Sequence, residues 1–302
     1  YFLQEKMDED FLEDHFDTNP DNCNLIENWN GHVDCGNNAS FIQMMNWFQN
    51  ANLADDVAYQ HACELMDMDN YIDYMVFETF VANWDWPYNN VRCWQEGNGK
   101  WRWMFFDGDA ALISSTFDVF ANAAVYIPLE SWDNFPNAKL VFGKLLENEQ
   151  FKTAFEARAM ELCEGMFLYE NTYPLYQSIV DTLRPNVGNH VYRFGNPVSV
   201  NSWEQANTYT EGFLSHRVET FWENWYDFVG LDEHAGVTAS AFPNPSSEEI
   251  HLSFDSDASG ITEIAIYDLM GRKVYIQQSG ITQGHNDITL HPDLRAGVYV
   301  RS

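Results

Sequence analysis

Four side chains in one short stretch are of the types, and at the spacings, that phosphoryl chemistry uses. Asp85 and Asn90 stand five residues apart in Asn83-Trp84-Asp85-Trp86-Pro87-Tyr88-Asn89-Asn90, and Asp107 and Asp109 stand in Phe105-Phe106-Asp107-Gly108-Asp109. Between them lie two strand-like runs, Val91–Gln95 and Trp101–Phe106, separated by Glu96-Gly97-Asn98-Gly99-Lys100, whose two glycines and Asn suit a tight hairpin. An antiparallel hairpin returns its two ends side by side, with strands about 4.8 Å apart, so Asn90 and Asp107 are expected within reach of one cation. A carboxylate such as Asp85 can take the proton of an incoming hydroxyl, while a pair of hard oxygen ligands holds Mg²⁺ on phosphate oxygens.

Protein-kinase active sites use the same order: a catalytic-loop Asp, an Asn five positions on, then a hairpin ending in a metal-binding Asp. Here Asp107-Gly108-Asp109 takes the place of Asp-Phe-Gly. Two other readings of these residues stay open on spacing alone. In one, Asn83 and Asp85 end a helix, Asn89 and Asn90 serve a turn, and Asp107 and Asp109 bind Ca²⁺ or loop amides. In the other, Asp85 and Asp107 form a glycosidase acid/base pair, which needs carboxyl groups about 5–9.5 Å apart around a sugar-shaped groove.

The elements that must position this stretch are legible in the periodicity. From Asn70 to Ala82 the apolar residues Ile72, Met75, Val76, Phe77, Phe80 and Val81 recur at helical spacing, with Asp67 or Asp69 as N-cap and an end at Asn83. A strand is expected at Tyr1–Lys6, leading into a helix at Asp8–Phe16, with further helices at Ala138–Glu147, Glu149–Met166, Pro174–Leu183 and Ser202–Val229. Near residue 235 the text changes to short alternating segments broken by Gly, Ser, Asn and Pro, which is strand-and-turn language. About seven short strands there suit a small β-sandwich. The boundaries expected are 1–231, a linker over 232–240, and 241–302.

Composition narrows the partners. The 302 residues carry 46 Asp and Glu against 15 Lys and Arg, a formal charge of −31, so the surface repels phosphate backbones and anionic headgroups. Residues 241–302 hold only 8 acidic and 4 basic side chains, so the acidity belongs upstream. Nucleic acid and membrane surfaces are poor partners, and no stretch approaches the roughly 20 apolar residues of a membrane span. Five cysteines permit an oxidising compartment; of these, Cys23 and Cys35 share an Asn-rich stretch where a short disulfide could close. The nine histidines show no zinc-ligand spacing, and the Trp residues around the hairpin are expected to pack rather than stack on sugars. There is no G-x-S-x-G, no P-loop and no G-x-G-x-x-G.

Tyr71-Ile72-Asp73-Tyr74-Met75-Val76-Phe77-Glu78-Thr79-Phe80-Val81-Ala82-Asn83-Trp84-Asp85-Trp86-Pro87-Tyr88-Asn89-Asn90, followed by Lys100-Trp101-Arg102-Trp103 and Phe106-Asp107-Gly108-Asp109, resembles the signature of the CotH (spore coat protein H-like) kinase family. Tyr1-Phe2-Leu3-Gln4-Glu5-Lys6-Met7-Asp8, Phe142-Gly143-Lys144-Leu145-Leu146, His190-Val191-Tyr192-Arg193-Phe194-Gly195, Trp203 and Arg217 fall in that family's order, and the likeness spans roughly residues 1–230. The resemblance implies an α+β chain: a mainly helical C-lobe of an atypical kinase-like fold with a catalytic β-hairpin. It implies a secreted or surface kinase that moves the γ-phosphate of ATP to Ser or Thr of a protein, with Mg²⁺ or Mn²⁺. By matched position Asp85 is then catalytic, Asn90 and Asp107 hold metal with Asp109 or Asn89 in support, and Glu5 and Met7 belong to the hinge that meets adenine. The rival implication is a non-catalytic surface module that keeps the fold and binds Ca²⁺, glycan or protein. The chain starts near the strand before that hinge, so the phosphate-clamping lobe is expected outside it, and residues 1–302 alone are expected to bind nucleotide poorly.

Downstream, Pro243-Asn244-Pro245, Ile266-Tyr267-Asp268-Leu269-Met270-Gly271-Arg272-Lys273-Val274 and Leu294-Arg295-Ala296-Gly297-Val298-Tyr299 resemble the type A sorting domain of the type IX secretion system. That resemblance implies an Ig-like all-β module, here short of its last strand. It also implies a Bacteroidetes-type secreted or surface-attached protein and the type IX secretion machinery as a partner.

Overall fold

A computed structural model describes residues 5–29, 31–120, 139–229, 239–242, 249–256, 258–268, 273–292 and 299–301. Residues 232–238 of the expected linker, Pro243-Asn244-Pro245, the Met270-Gly271-Arg272 turn and most of Leu294–Tyr299 lie outside the described residues, as do the first four residues of the expected N-terminal strand; the last two linker residues, Ala239 and Ser240, begin a strand. The chain is α+β and divides into two units, Tyr1–Asn224 and Trp225–Ser302.

In the first unit the described elements are α1 (Glu9–Phe16), β1 (Cys23–Glu27), β2 (His32–Cys35), α2 (Ala39–Asn50), α3 (Asp56–Leu65), α4 (Met68–Phe80), β3 (Val91–Glu96), β4 (Arg102–Phe105), α5 (Leu140–Leu145), α6 (Glu149–Cys163), α7 (Tyr169–Phe194) and α8 (Val200–Phe228), whose last four residues are counted to the second unit. The strands form one antiparallel sheet in the order β2-β1-β3-β4. Its two faces are both covered, which the alternation of the strands makes possible. Leu25, Trp94 and Met104 meet Leu12 of α1 and its neighbours Met7 and Phe11 on one side. On the other, Trp103 and Phe105 pack edge-on against Tyr71 and Phe77 of α4, at ring distances of 4.7 and 4.9 Å. Aromatic pairs of this geometry add to the stabilisation from area burial alone.

Helix α4 is pinned to the sheet at its N-terminus. Asp67 caps it, accepting from the Asn70 N–H at 3.4 Å, and the same carboxylate takes Nε of Arg102 at 2.8 Å. The side-chain amide of Asn70 then pairs with the backbone of Trp103 on β4, accepting its N–H at 2.7 Å and donating to its carbonyl at 3.1 Å. The hairpin turn closes through Gly97 at φ +55, where an added Cβ would also sit 2.9 Å from the Asn22 amide, so a side chain is doubly disfavoured there.

Several expectations are corrected. Residues 5–7 form no strand; the chain leads irregularly into α1, whose cap is Asp8. Helix α4 runs two residues earlier than expected at each end, because Asp67 caps it and Ala82 leaves it in a left-handed conformation at φ +53. The expected helix ending at Leu183 continues through Pro185 to Phe194 and stops at Gly195, φ +66. Cys23 and Cys35 lie on neighbouring strands rather than in a loop, and both thiols are free; Cys35 Sγ donates to the Cys23 carbonyl at 3.7 Å.

The second unit carries β5 (Ala239–Phe242), β6 (Ile250–Ser256), β7 (Gly260–Asp268), β8 (Lys273–Ile281), β9 (Gly284–Leu290) and β10 (Tyr299–Arg301). They form two three-stranded sheets, β5-β6-β9 and β10-β7-β8. Leu252, Ile288 and Leu290 of the first share one buried cluster with Ile264 and Ile266 of the second, so the sheets meet through their apolar faces.

Candidate active site

The loop after α4 and the loop after β4 are stitched together by their backbones. Leu112 N–H donates to the Val81 carbonyl at 2.8 Å and Trp84 N–H to the Ala110 carbonyl at 3.3 Å. The first loop is also held from the other side: Trp29 Nε1 donates to the Pro87 carbonyl at 3.1 Å, and Trp86, fully buried, donates to the Tyr74 hydroxyl at 2.7 Å. With both loops fixed in this way, the hairpin delivers its two ends to one place.

There Asp85 Oδ2 accepts two amides, Nδ2 of Asn89 at 3.2 Å and Nδ2 of Asn90 at 3.1 Å. The same Asn90 Nδ2 reaches the Asp107 carbonyl at 3.5 Å, so one amide bridges the two aspartates. Asn90 and Asp107 both have left-handed backbones, φ +59 and +54, a conformation that Asn and Asp tolerate better than other side chains with a Cβ. Asp109 completes a turn, its N–H donating to Asp107 Oδ1 at 3.4 Å. Asp107 and Asp109 are exposed, Asp85 is half-buried and Asn90 is buried.

The expected metal-site residues are therefore gathered, whereas Glu5 and Met7 are not brought to Asp85 by any described bond. The Glu5 carboxylate pairs with His15 at 3.0 Å, and the Met7 carbonyl accepts from Arg92 at 2.5 Å. Arg92 also meets Asp34 at 2.8 Å and lies over the ring of Phe106, 4.4 Å from its centroid, so the Met7 segment is tied to the strand end that carries Asp107.

Two ionisable residues that spacing did not single out support the site from inside. Glu78 of α4 is fully buried; its Oε2 accepts from Asn83 Nδ2 at 3.2 Å, and burial pushes its carboxyl up to about 8. Arg217 of α8 is fully buried and donates to the carbonyls of Thr79 and Phe80, both at 2.6 Å, and of Ser115 at 2.5 Å. Desolvation lowers it to about 10, so it remains a cation at neutral pH. Each sits at an apolar-stripe position, Glu78 between Met75 and Val81 and Arg217 between Leu214 and Phe221, which is the signal that could have found them.

Hard amide and carboxylate oxygens suit Mg²⁺ or Mn²⁺. Asn90 spends its amide nitrogen on the Asp85 carboxylate and the Asp107 carbonyl, and neither bond uses its Oδ1. No group of three or more His, Cys, Asp or Glu side chains forms a metal cage among the described residues. A two-oxygen set is what a cation completed by waters and substrate phosphates requires. Gly108 makes the turn between the acids possible: a Cβ there would lie 2.5 Å from Cζ of Phe105. Gly108→Ala is accordingly expected to cost roughly 1–3 kcal/mol of stability by displacing that ring from Phe77. A thermal midpoint unchanged from wild type would show that the ring yields freely.

An aspartate-bearing loop joined by a β-hairpin to a second aspartate turn, on a helical lobe, is the arrangement of kinase-like chains. The family model described as CotH kinase protein matches residues 1–221, and the chain belongs to that family. A second model, the Secretion system C-terminal sorting domain, matches residues 240–302, so the protein is exported by the type IX secretion system. No curated protein and no solved structure matches the chain. Among the described residues no helix is long and apolar enough to cross a membrane.

Proposed function

We propose that the chain is a secreted, metal-dependent protein kinase that transfers the γ-phosphate of ATP to a Ser or Thr hydroxyl of a surface or secreted protein. The observation that supports this most is the single Asn90 amide shared between Asp85 and the Asp107 carbonyl, which brings a proton acceptor and a metal-ligand pair to one hairpin end. Asn89 and Asn90 hold Oδ2 of Asp85, leaving Oδ1 to orient the hydroxyl and take its proton as the oxygen attacks phosphorus and ADP departs. Asn90 and Asp107, with Asp109 or Asn89 in support, are the residues that hold Mg²⁺ or Mn²⁺. The cation neutralises charge on the phosphate oxygens when bound. Glu5 and Met7 are proposed to meet the adenine through the chain segment that Arg92 fastens to the hairpin. The module of residues 241–302, joined through 232–240 to a kinase-like domain of residues 1–231, is proposed to be an Ig-like sandwich.

The test is transfer of label from γ-labelled ATP to protein, using the protein at its natural length with Mn²⁺ or Mg²⁺. Transfer that chelation stops and Asp85→Ala abolishes is the expected result. Absence of transfer to itself or to co-secreted proteins, together with absence of nucleotide binding, would overturn it in favour of a non-catalytic surface module.

A further inference from the structure

Where α4 passes into the first loop lie two buried oxygen atoms without hydrogen-bond partners, Oε1 of Glu78 on the helix and Oδ1 of Asn83 in the loop. They belong to side chains already joined by one bond, Asn83 Nδ2 to Glu78 Oε2 at 3.2 Å. A carboxylic acid and a primary amide satisfy each other completely when the amide N–H meets the acid carbonyl and the acid O–H meets the amide oxygen. The two orphaned oxygens are those that the second bond of such a pair would join. An ionised carboxylate would instead leave two acceptors facing one another in a site closed to water, which burial makes costly.

We propose that Glu78 is a positioning residue for Asp107: paired as an acid with the Asn83 amide, it holds that amide against the Asp107 carbonyl and so fixes the direction of the Asp107 side chain. The second link is present, since Asn83 Nδ2 also reaches the Asp107 carbonyl at 3.5 Å, alongside Asn90. The inference rests on the metal-ligand role proposed above for Asp107. The raised Glu78 carboxyl, near 8, agrees with an acid that keeps its proton at neutral pH. The ionisable groups on the packed elements are otherwise engaged. Tyr74 on α4, which burial and any charge on Glu78 push up so that it stays a neutral phenol, accepts from Trp86; Arg102 on β4 meets Asp67, Arg158 on α6 meets Asp73, and Arg217 on α8 meets main-chain carbonyls.

The sign of the pH effect follows. Folded Glu78 holds a proton that the unfolded chain releases near its ordinary value of 4.5, so its contribution to stability falls as pH rises through the window from about 4.5 to about 8. Glu78→Gln keeps both bonds as an amide–amide pair and cannot ionise. Its thermal midpoint is expected to lose the wild-type decline between pH 6 and 9 and to exceed the wild-type midpoint above pH 8. Glu78→Ala leaves Asn83 unheld. The Asp109 amide, which donates to Asp107 Oδ1, is then expected to exchange its hydrogen roughly tenfold faster at pH 7, while Glu78→Gln exchanges as wild type does. Equal exchange in the folded Ala and Gln variants, or a wild-type pH decline that survives in Glu78→Gln, would overturn the proposal. Neither readout needs nucleotide, so a wild-type protein that transfers no label would count against the kinase reading and leave this test standing.

Discussion

Asp107→Ala is expected to lower phosphate transfer by about three orders of magnitude or more, whereas Asp85→Asn lowers turnover with little change in nucleotide affinity. The difference follows from what each side chain touches. On the proposed function Asp107 supplies the carboxylate of a two-oxygen ligand set, and no group of three His, Cys, Asp or Glu side chains stands behind it among the described residues. Its loss removes charge stabilisation worth several kcal/mol, each 1.4 kcal/mol being tenfold in rate. The same variant should lose metal-dependent nucleotide binding, which titration calorimetry with Mn²⁺ and ATP would report. Asp85 is bound to the protein by the amides of Asn89 and Asn90, so an Asn in its place keeps a neighbour for those groups but cannot take a proton. A fall in apparent nucleotide affinity as large in Asp85→Asn as in Asp107→Ala would reject this division of labour.

Arg217→Met is expected to destabilise the first unit by roughly 3–5 kcal/mol, since each buried carbonyl left without its donor costs about 1–3 kcal/mol. For a unit of about this size each kcal/mol moves the thermal midpoint by about 2–4 °C, so the loss should approach 10 °C. The arginine meets the carbonyls of Thr79 and Phe80, which the last turn of α4 leaves without helical partners, and the carbonyl of Ser115, six residues beyond Asp109. Methionine fills much of the volume yet leaves the buried Thr79 and Phe80 carbonyls unpaired, while that of Ser115 keeps the Thr220 hydroxyl at 2.6 Å. Lysine restores the charge but cannot reach three carbonyls with a planar fork, so Arg217→Lys should recover only part of the loss. A midpoint for Arg217→Met within 2 °C of wild type would show that water or a neighbouring donor replaces the guanidinium.

Much of the site could be read in the sequence because its geometry is local. The apolar stripe of α4, the Gly97-Asn98-Gly99 turn and the five-residue step from Asp85 to Asn90 lie within about forty consecutive residues, and a hairpin needs no distant contact to bring its ends together. Strands β1 and β2 and helices α2 and α3 were not legible, because their stretch is rich in Asn and Asp and acquires its order by pairing with β3 and packing under the Trp residues. Glu78 and Arg217 lie within the stretches that resemble the family, but spacing alone gives them no role, for the opposite reason. Their charge argues for a solvated face against the apolar stripe in which each sits, and burial, with contacts more than a hundred residues apart for Arg217, shows that they are interior. The Met7 segment was placed by resemblance, and the bond that fastens it comes from Arg92 on β3, a pairing no spacing rule anticipates.

The amide of Asn70 has a consequence beyond anchoring α4. Strand β4 is the border of its sheet, and a border strand offers unspent donors and acceptors to any extended peptide that drifts past. By engaging both the N–H and the carbonyl of Trp103, Asn70 behaves as a one-residue strand and closes the sheet at a fixed width. A border sealed by its own side chain leaves no free rung at Trp103 for a passing extended chain to pair with.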